Sequence, residues 1–312
     1  MRLAILFPGQ GSQSVGMLSG FAGNAAVSAV MEQASDALGE DLSKLAEQGP
    51  AEQLNLTVNT QPVLLAASFA FYRAFCEAGG PAPVMMAGHS LGEYSALTAA
   101  GSLSLDAAVP LVRFRARAMQ EAVPVGEGGM AAILGLTDEQ VAQACAEARS
   151  AGAVEPVNYN CPGQVVIAGL KPAVEKACEI CRGMGAKRAV LLAVSAPFHS
   201  SLLAAARDRL AGELARVEVR PSGVPVYANV DAQPHGDPQD IRRRLAEQAC
   251  SPVLWSKIMS AMQDSGVTHF VECGPGRVLA GLARRCTPSI PCYSVNSAAS
   301  LDAALEALSA AA

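Results

Sequence analysis

Residues 84 to 100 constrain the fold more than any other stretch of the chain. Val84 to Ala87 reads as a short buried strand, and Leu91 to Ala100 carries the apolar repeat of a helix. The passage from one to the other is Gly88-His89-Ser90-Leu91-Gly92. A strand that hands over to a helix so abruptly needs a turn too tight for side chains at its flanks, which accounts for glycine at 88 and 92. Ser90 is left at the carboxyl end of a strand and beside a helix N-terminus, where partial positive charge favours an anion. That is the context of a nucleophile elbow, and it points to an α/β arrangement.

The rest of the chain agrees. Arg2 to Phe7 reads as a buried strand ended by Pro8-Gly9, Gln61 to Ala78 as a long helix, and Leu105 to Ala122 as another. Strands and helices alternate, so a sheet covered by helices on both faces is expected. From Gly129 to Val194 the rhythm changes. Met130 to Leu136 reads as a strand and Thr137 to Ala151 as a helix opened by the capping box Thr137-Asp138-Glu139-Gln140. Two strands follow, Val154 to Asn160 and Val165 to Leu170, then a helix from Pro172 to Gly183 with proline at its first position, and a strand from Lys187 to Val194. That order, βαββαβ, is the order of a ferredoxin-like unit. Beyond it, Ser200 to Val217 reads as a helix, and Val224 to Val230, Thr268 to Glu272 and Ile290 to Val295 as strands. The expected architecture is therefore a large α/β-hydrolase-like domain with a parallel sheet, from residues 1–125 and 198–312, carrying a small ferredoxin-like domain inserted at 126–197.

Composition narrows the function classes. Half of the 312 residues are hydrophobic (51%) and 16% are charged, enough for a large core and against disorder. A net charge of −5 without a dominant basic face argues against nucleic-acid binding; the run Arg242-Arg243-Arg244 reads as a solvated helix surface. The nine cysteines form no disulfide framework and read as reduced, mostly buried thiols. Cys178 and Cys181 make one C-x-x-C inside a helix with no second ligand pair, so neither metal nor redox chemistry is expected. The apolar N-terminus is too short for a signal peptide and no run approaches a membrane span. The protein is expected to be soluble, cytoplasmic and monomeric.

A serine nucleophile needs a base, and the chain has four histidines. His89 is adjacent to Ser90 in the turn and points elsewhere. His235, in Pro234-His235-Gly236-Asp237-Pro238, is expected to face solvent, and His269 lies within a strand. His199 follows a strand end in Ser195-Ala196-Pro197-Phe198-His199-Ser200, where α/β proteins keep reactive groups, and is the favoured base. Arg115 is the other anomaly. Its helical neighbours Leu111, Val112, Ala118, Met119 and Ala122 are all apolar, while Arg113 and Arg117 share the opposite face. A guanidinium on a core-facing stripe needs an anion: either an internal carboxylate or the carboxylate of a substrate.

These segments together resemble the malonyl-CoA:acyl carrier protein transacylases of bacterial fatty-acid synthesis. The similarity covers essentially the whole chain. It rests on Phe7-Pro8-Gly9-Gln10-Gly11-Ser12-Gln13, Gly88 to Glu93, Arg115 before Met119-Gln120-Glu121-Ala122, and Asn158-Tyr159-Asn160 with Pro162-Gly163-Gln164. Pro197-Phe198-His199-Ser200 and Glu272-Cys273-Gly274-Pro275-Gly276 complete it. The resemblance implies Ser90 as nucleophile, His199 as base, Gln10 and the Leu91 N–H at an oxyanion hole, and Arg115 as the site for the malonyl carboxylate. It also implies that the main-chain carbonyl of Gln248 orients His199. Phe198 resembles malonyl-selective members. No metal or cofactor is implied; the partners implied are malonyl-CoA and acyl carrier protein, with docking expected at Lys187-Arg188, Arg242 to Arg244, or Arg284-Arg285. Two alternatives share parts of this pattern: a freestanding acyltransferase of a polyketide or malonate-processing system, and a serine hydrolase. Gly9-Gln10-Gly11 does not extend to a dinucleotide fingerprint, because the third glycine position is Ser14.

Overall fold

The computed structural model describes residues 1–194 and 196–311. Among the described residues nine strands form two sheets: β1 (Leu3–Phe7), β2 (Met85–Gly88), β3 (Gly128–Leu134), β4 (Val154–Cys161), β5 (Gln164–Leu170), β6 (Arg188–Leu191), β7 (Val226–Tyr227), β8 (His269–Cys273) and β9 (Cys292–Val295). The first sheet has the order β7-β2-β1-β8-β9 and every pairing in it is parallel. β1 lies at its centre, wholly buried. Leu3, Ile5 and Phe7 enter one core while Ala4 and Leu6 enter a second on the opposite face, as the two-residue period of a strand dictates. Burying each of its large side chains contributes about 1.5–3 kcal/mol.

Parallel strands bring their carboxyl ends to one edge. Phe7 is level with Gly88, Leu6 with Glu272, and Ala87 with Tyr227. The loops that begin with Gln10, Ser90, Asn229 and Gly274 therefore open together. Glu272, fully buried, accepts the N–H groups of Leu279 (2.9 Å) and Ala280 (2.8 Å) and so fixes the start of the helix Val278–Cys286 beside this edge.

The second sheet has the order β4-β5-β3-β6 and is antiparallel throughout. Ala131, Ile133, Val165 and Ile167 pack against the helices Asp138–Ala148 and Lys171–Gly183, a core that also holds Cys145, Cys178 and Cys181. The alternate residues Met130, Ala132, Val166 and Ala168 face the main core, so this sheet lies over the carboxyl edge of the first. The Thr137–Gln140 capping box forms as expected.

Several boundaries differ from expectation. The long helix begins at Thr57, four residues before the expected Gln61, and runs through Pro62. Pro172 is the second residue of its helix, another first-turn position where no N–H is missed. The strand expected from Lys187 to Val194 pairs only over Arg188–Leu191, and that expected from Val224 to Val230 only over Val226–Tyr227, because beyond Tyr227 the chain turns back at Ala228 and Ala232. The helix expected from Ser200 is a 3₁₀ turn (Ser201–Leu203) followed by Ala204–Leu214. Helices at Ala25–Leu38, Leu42–Gln48, Ala51–Leu54 and Ala298–Ala310 had no counterpart in the sequence reading. Among the described residues no helix is long and apolar enough to cross a membrane.

Candidate active site

The elbow is built as the glycine pattern requires. A Cβ on Gly88 would overlap the carbonyl of Gly92, and one on Gly92 would overlap the carbonyl of Phe7. Ser90 takes φ 53° and ψ −109°, a strained conformation of the kind that costs about 1–3 kcal/mol and persists only where its surroundings hold it. Asn229, in the loop after β7, does the holding. Its Oδ1 accepts the Ser90 N–H (2.7 Å) and its Nδ2 donates to the Gly88 carbonyl (2.8 Å).

The side chain that meets the Ser90 hydroxyl comes from 109 residues away. The Ser90 hydroxyl meets His199 Nε2 at 2.7 Å, and His199 Nδ1 meets the main-chain carbonyl of Gln248 at 2.8 Å. A carbonyl can only accept, so Nδ1 carries the proton and Nε2 is left to accept the proton of Ser90. His199 is itself in the left-handed region at φ 65°. Burial, followed by the positive charge of Arg115, pushes its imidazole down to about 3 from the ordinary 6.5. At neutral pH it is an uncharged acceptor.

Arg115, 1% exposed, projects from the helix Leu105–Glu121 into the same place. Nη1 donates to Gln61 Oε1 (2.9 Å), and Nη2 donates to Gln248 Oε1 (2.7 Å) and Ser90 Oγ (3.2 Å). The guanidinium carbon sits 5.3 Å from the centre of the Tyr94 ring. All three hydrogen-bond partners are neutral. Burial pulls the guanidinium below its usual range. The arginine thus stands beside the Ser90 hydroxyl with a positive charge that no contacting carboxylate offsets among the described residues. Arg113, on the opposite face, pairs bidentately with Glu40 (2.8 and 2.6 Å).

Gln10 and Leu91 line a cleft of about 230 Å³ together with Ser90, Arg115, Phe198 and His199. The Leu91 N–H, at the first residue of its helix, has no helical acceptor. The Gln10 side-chain amide reaches Thr57 Oγ1 at 3.3 Å. The structure thus brings Ser90, His199, Arg115, Gln10 and Leu91 around one cleft, with Gln248 buried behind His199 and Arg115. Among the described residues no group of three or more His, Cys, Asp or Glu side chains could hold a metal ion.

Two expectations are corrected. His235 does not face solvent: its side chain is fully buried and its Nε2 lies 2.9 Å from Glu93 Oε1, because the polar loop folds back over the elbow helix. The run Arg242 to Arg244 is not a simply solvated face. Arg242 donates to the carbonyls of Leu214 and Val217, Arg243 pairs with Asp240 and Glu247, and Arg244 with Asp231 and Asp240. Lys187, Arg188 and Arg285 instead flank an open groove of about 800 Å³, and Arg285 donates to Gln164 Oε1 (2.6 Å) at the boundary with the cleft. His89 does turn away from Ser90; it bonds Asn160 Oδ1 at 2.8 Å and packs on Trp255. Nothing in the sequence singles out Gln61 or Asn229, whose partners lie 54 and 139 residues away.

The geometry can be set beside known proteins. Residues 5–301 match the model of the acyl transferase domain family. The malonyl CoA-acyl carrier protein transacylase of Escherichia coli strain K12 is 50% identical over 306 residues, 98% of this chain and 99% of that protein. The crystal structure of the acyl-carrier-protein S-malonyltransferase of Burkholderia pseudomallei 1710b is 56% identical and superimposes with a TM-score of 0.97, over 98% of this chain and 100% of the other. A malonyl-transacylase solved in complex with its type II PKS acyl-carrier protein is 47% identical with a TM-score of 0.96, over 98% of this chain and 100% of its own. With the buried Ser90–His199 pair, the neighbouring arginine and likeness over the full length, this chain belongs to the malonyl CoA-acyl carrier protein transacylase family of acyl transferases.

Proposed function

We propose that this protein moves the malonyl group from malonyl-CoA to the phosphopantetheine thiol of acyl carrier protein through a malonyl-Ser90 intermediate, supplying fatty-acid synthesis. The observation that carries the reading is the Ser90 hydroxyl 2.7 Å from an uncharged His199 and 3.2 Å from a buried arginine whose partners are all neutral. His199 takes the proton as Ser90 Oγ attacks the thioester carbonyl carbon. The oxyanion is held by the Leu91 N–H and Gln10, donors of a kind worth about 2.7–4 kcal/mol. The C–S bond breaks, the imidazolium returns its proton to the sulfur of coenzyme A, and malonyl-Ser90 remains. The carrier thiol then attacks by the reverse course. Thioester replaces thioester, so no external energy source is needed.

Arg115 supplies the selectivity in this reading. Its charge suits a malonyl carboxylate, which it can hold bidentately. The same cation disfavours an imidazolium on His199. A bound carboxylate offsets that repulsion, so the acyl group being transferred helps the base that transfers it. The Gln248 carbonyl keeps His199 in the productive tautomer, a role that acids fill in other serine enzymes.

The same reading treats residues 1–125 and 198–312 as an α/β-hydrolase-like domain and 126–197 as an inserted ferredoxin-like domain. The strand-turn-helix at Ser90 and the βαββαβ order of the second sheet support it. A cytoplasmic monomer acting without metal or cofactor, and without nucleic acid or membrane as a partner, completes it. Likeness to a transacylase that serves a type II PKS carrier protein supports a second reading, in which the carrier belongs to a polyketide system. A serine hydrolase is the reading to exclude. With malonyl-CoA, acyl carrier protein and water present together, nearly all of the malonyl group is expected on the carrier thiol. Free malonate as the main product would overturn the transferase assignment.

A further inference from the structure

Among the described residues no acidic side chain touches His199 Nδ1; its partner there is the Gln248 carbonyl. An acid is nevertheless present one layer back. Glu93, in the first turn of the elbow helix, is fully buried. Its Oε2 accepts the Asn229 main-chain N–H (2.9 Å) and the Gln248 side-chain Nε2 (2.8 Å). Its Oε1 faces His235 Nε2 at 2.9 Å. Each of the first two partners leads to one half of the reactive pair. Asn229 grips Ser90 N–H and the Gly88 carbonyl, and so holds the strained turn. Gln248 gives its carbonyl to His199, its side-chain oxygen to Arg115 and its side-chain nitrogen also to the Ser90 carbonyl (2.9 Å).

We infer that Glu93 is the positioning residue of the site, the single group through which Asn229 and Gln248 hold Ser90, His199 and Arg115 in mutual register. This rests on the serine-acyltransferase reading above. The physical case is one of connectivity. Ser90, His199 and Gln248 come from loops and helices distant in sequence, and two of them sit in strained backbone. Strain of that kind survives only where neighbouring contacts over-determine it. Among the described residues Glu93 is the one carboxylate bonded to both holding residues. It is also the nearest anion along the chain of hydrogen bonds from Arg115, one amide removed, so it lies close enough to support a buried cation without occupying the face a substrate carboxylate needs.

Two substitutions separate positioning from mere stability. Glu93→Ala removes every bond at once. Glu93→Gln keeps a carbonyl that can accept from Asn229 and Gln248, and its new NH₂ can donate to His235 Nε2 if that ring moves its proton to Nδ1, which has no partner now. The readout is single-turnover formation of malonyl-Ser90 from malonyl-CoA, per folded molecule, alongside the KM for malonyl-CoA. Glu93→Ala is expected to acylate ~10²-fold more slowly, the scale of a displacement of about 1 Å, with KM altered far less, and Glu93→Gln to recover at least about tenfold of that loss. A wild-type acylation rate in folded Glu93→Ala would overturn the inference, as would Glu93→Gln falling as far as the alanine variant. Should Glu93→Ala fail to fold, Asn229→Ala tests the next link: it keeps the main-chain N–H that Glu93 holds but loses the side chain that grips Ser90, and acylation at the wild-type rate would again overturn the inference. The wild-type protein carries the separate control: if it forms no adduct on Ser90, the acyltransferase reading fails, whereas an intact wild-type adduct with an unaffected variant removes only the role of Glu93.

Discussion

Arg115→Ala is expected to turn a malonyl-selective enzyme into one that prefers acyl groups without a free carboxylate. The guanidinium is buried, is bonded among the described residues only to neutral oxygens, and reaches the Ser90 hydroxyl itself. Without it a malonyl carboxylate would lie buried and unpaired, at a cost of about 3–5 kcal/mol, or roughly two to four powers of ten in kcat/KM. Acetyl groups lose no partner. They also gain a base relieved of a neighbouring positive charge, so their transfer should hold or rise. An arginine that served only the fold would behave differently: its loss would lower the melting temperature and depress both substrates alike. Measuring kcat/KM for malonyl-CoA and acetyl-CoA, with a thermal melt of the same variant, distinguishes the two. An unchanged malonyl-to-acetyl ratio would remove the carboxylate-binding role.

His199→Ala should lower kcat/KM for malonyl transfer by ~10²–10⁴-fold. His269→Ala should leave it near the wild-type value, since His269 bonds Thr268 and stacks on Tyr293 at the start of β8. Equal losses would leave no support for His199 as the base. The lowered proton affinity of His199 adds a pH signature. In the free enzyme the acid limb of kcat/KM should fall well below pH 6.5. Stability should follow the same group. Between about pH 3 and 6.5 the unfolded chain binds a proton at His199 that the folded chain refuses, so its contribution is complete above 6.5 and is lost as pH falls through that window. Buried His89, also pushed down, acts in the same direction. The alanine variant should therefore show a shallower loss of melting temperature on acidification than the wild type.

Ser90, His199 and Arg115 were legible in the sequence because each breaks a local rule. A serine sits between glycines where a strand becomes a helix, a histidine stands at a strand end, and a charge interrupts an apolar stripe. The parallel sheet was legible for the same kind of reason, in short apolar runs such as Leu3–Phe7. Of what holds the site, only the Gln248 carbonyl was anticipated, and that from the resemblance. Asn229 and Glu93 look like ordinary polar residues, and their roles arise from contacts 139 and 155 residues apart in the chain. His235 was misread because a loop rich in proline, glycine and aspartate signals exposure, while nothing local reveals that its ring enters the core to meet Glu93. The helices Leu42–Gln48 and Ala51–Leu54 are short and are separated at Gly49, which leaves no sustained periodic signal. Strand lengths at β6 and β7 depend on how far a neighbour extends, which no single segment encodes.

A malonyl group carried on Ser90 is detected most directly by the intact mass of the protein after brief mixing with malonyl-CoA, followed by peptide mapping. One malonyl group per chain is expected, located on the peptide that holds Ser90, absent in Ser90→Ala and discharged when acyl carrier protein is added. A malonyl group mapped to any other residue, or retained in folded Ser90→Ala, would contradict the account.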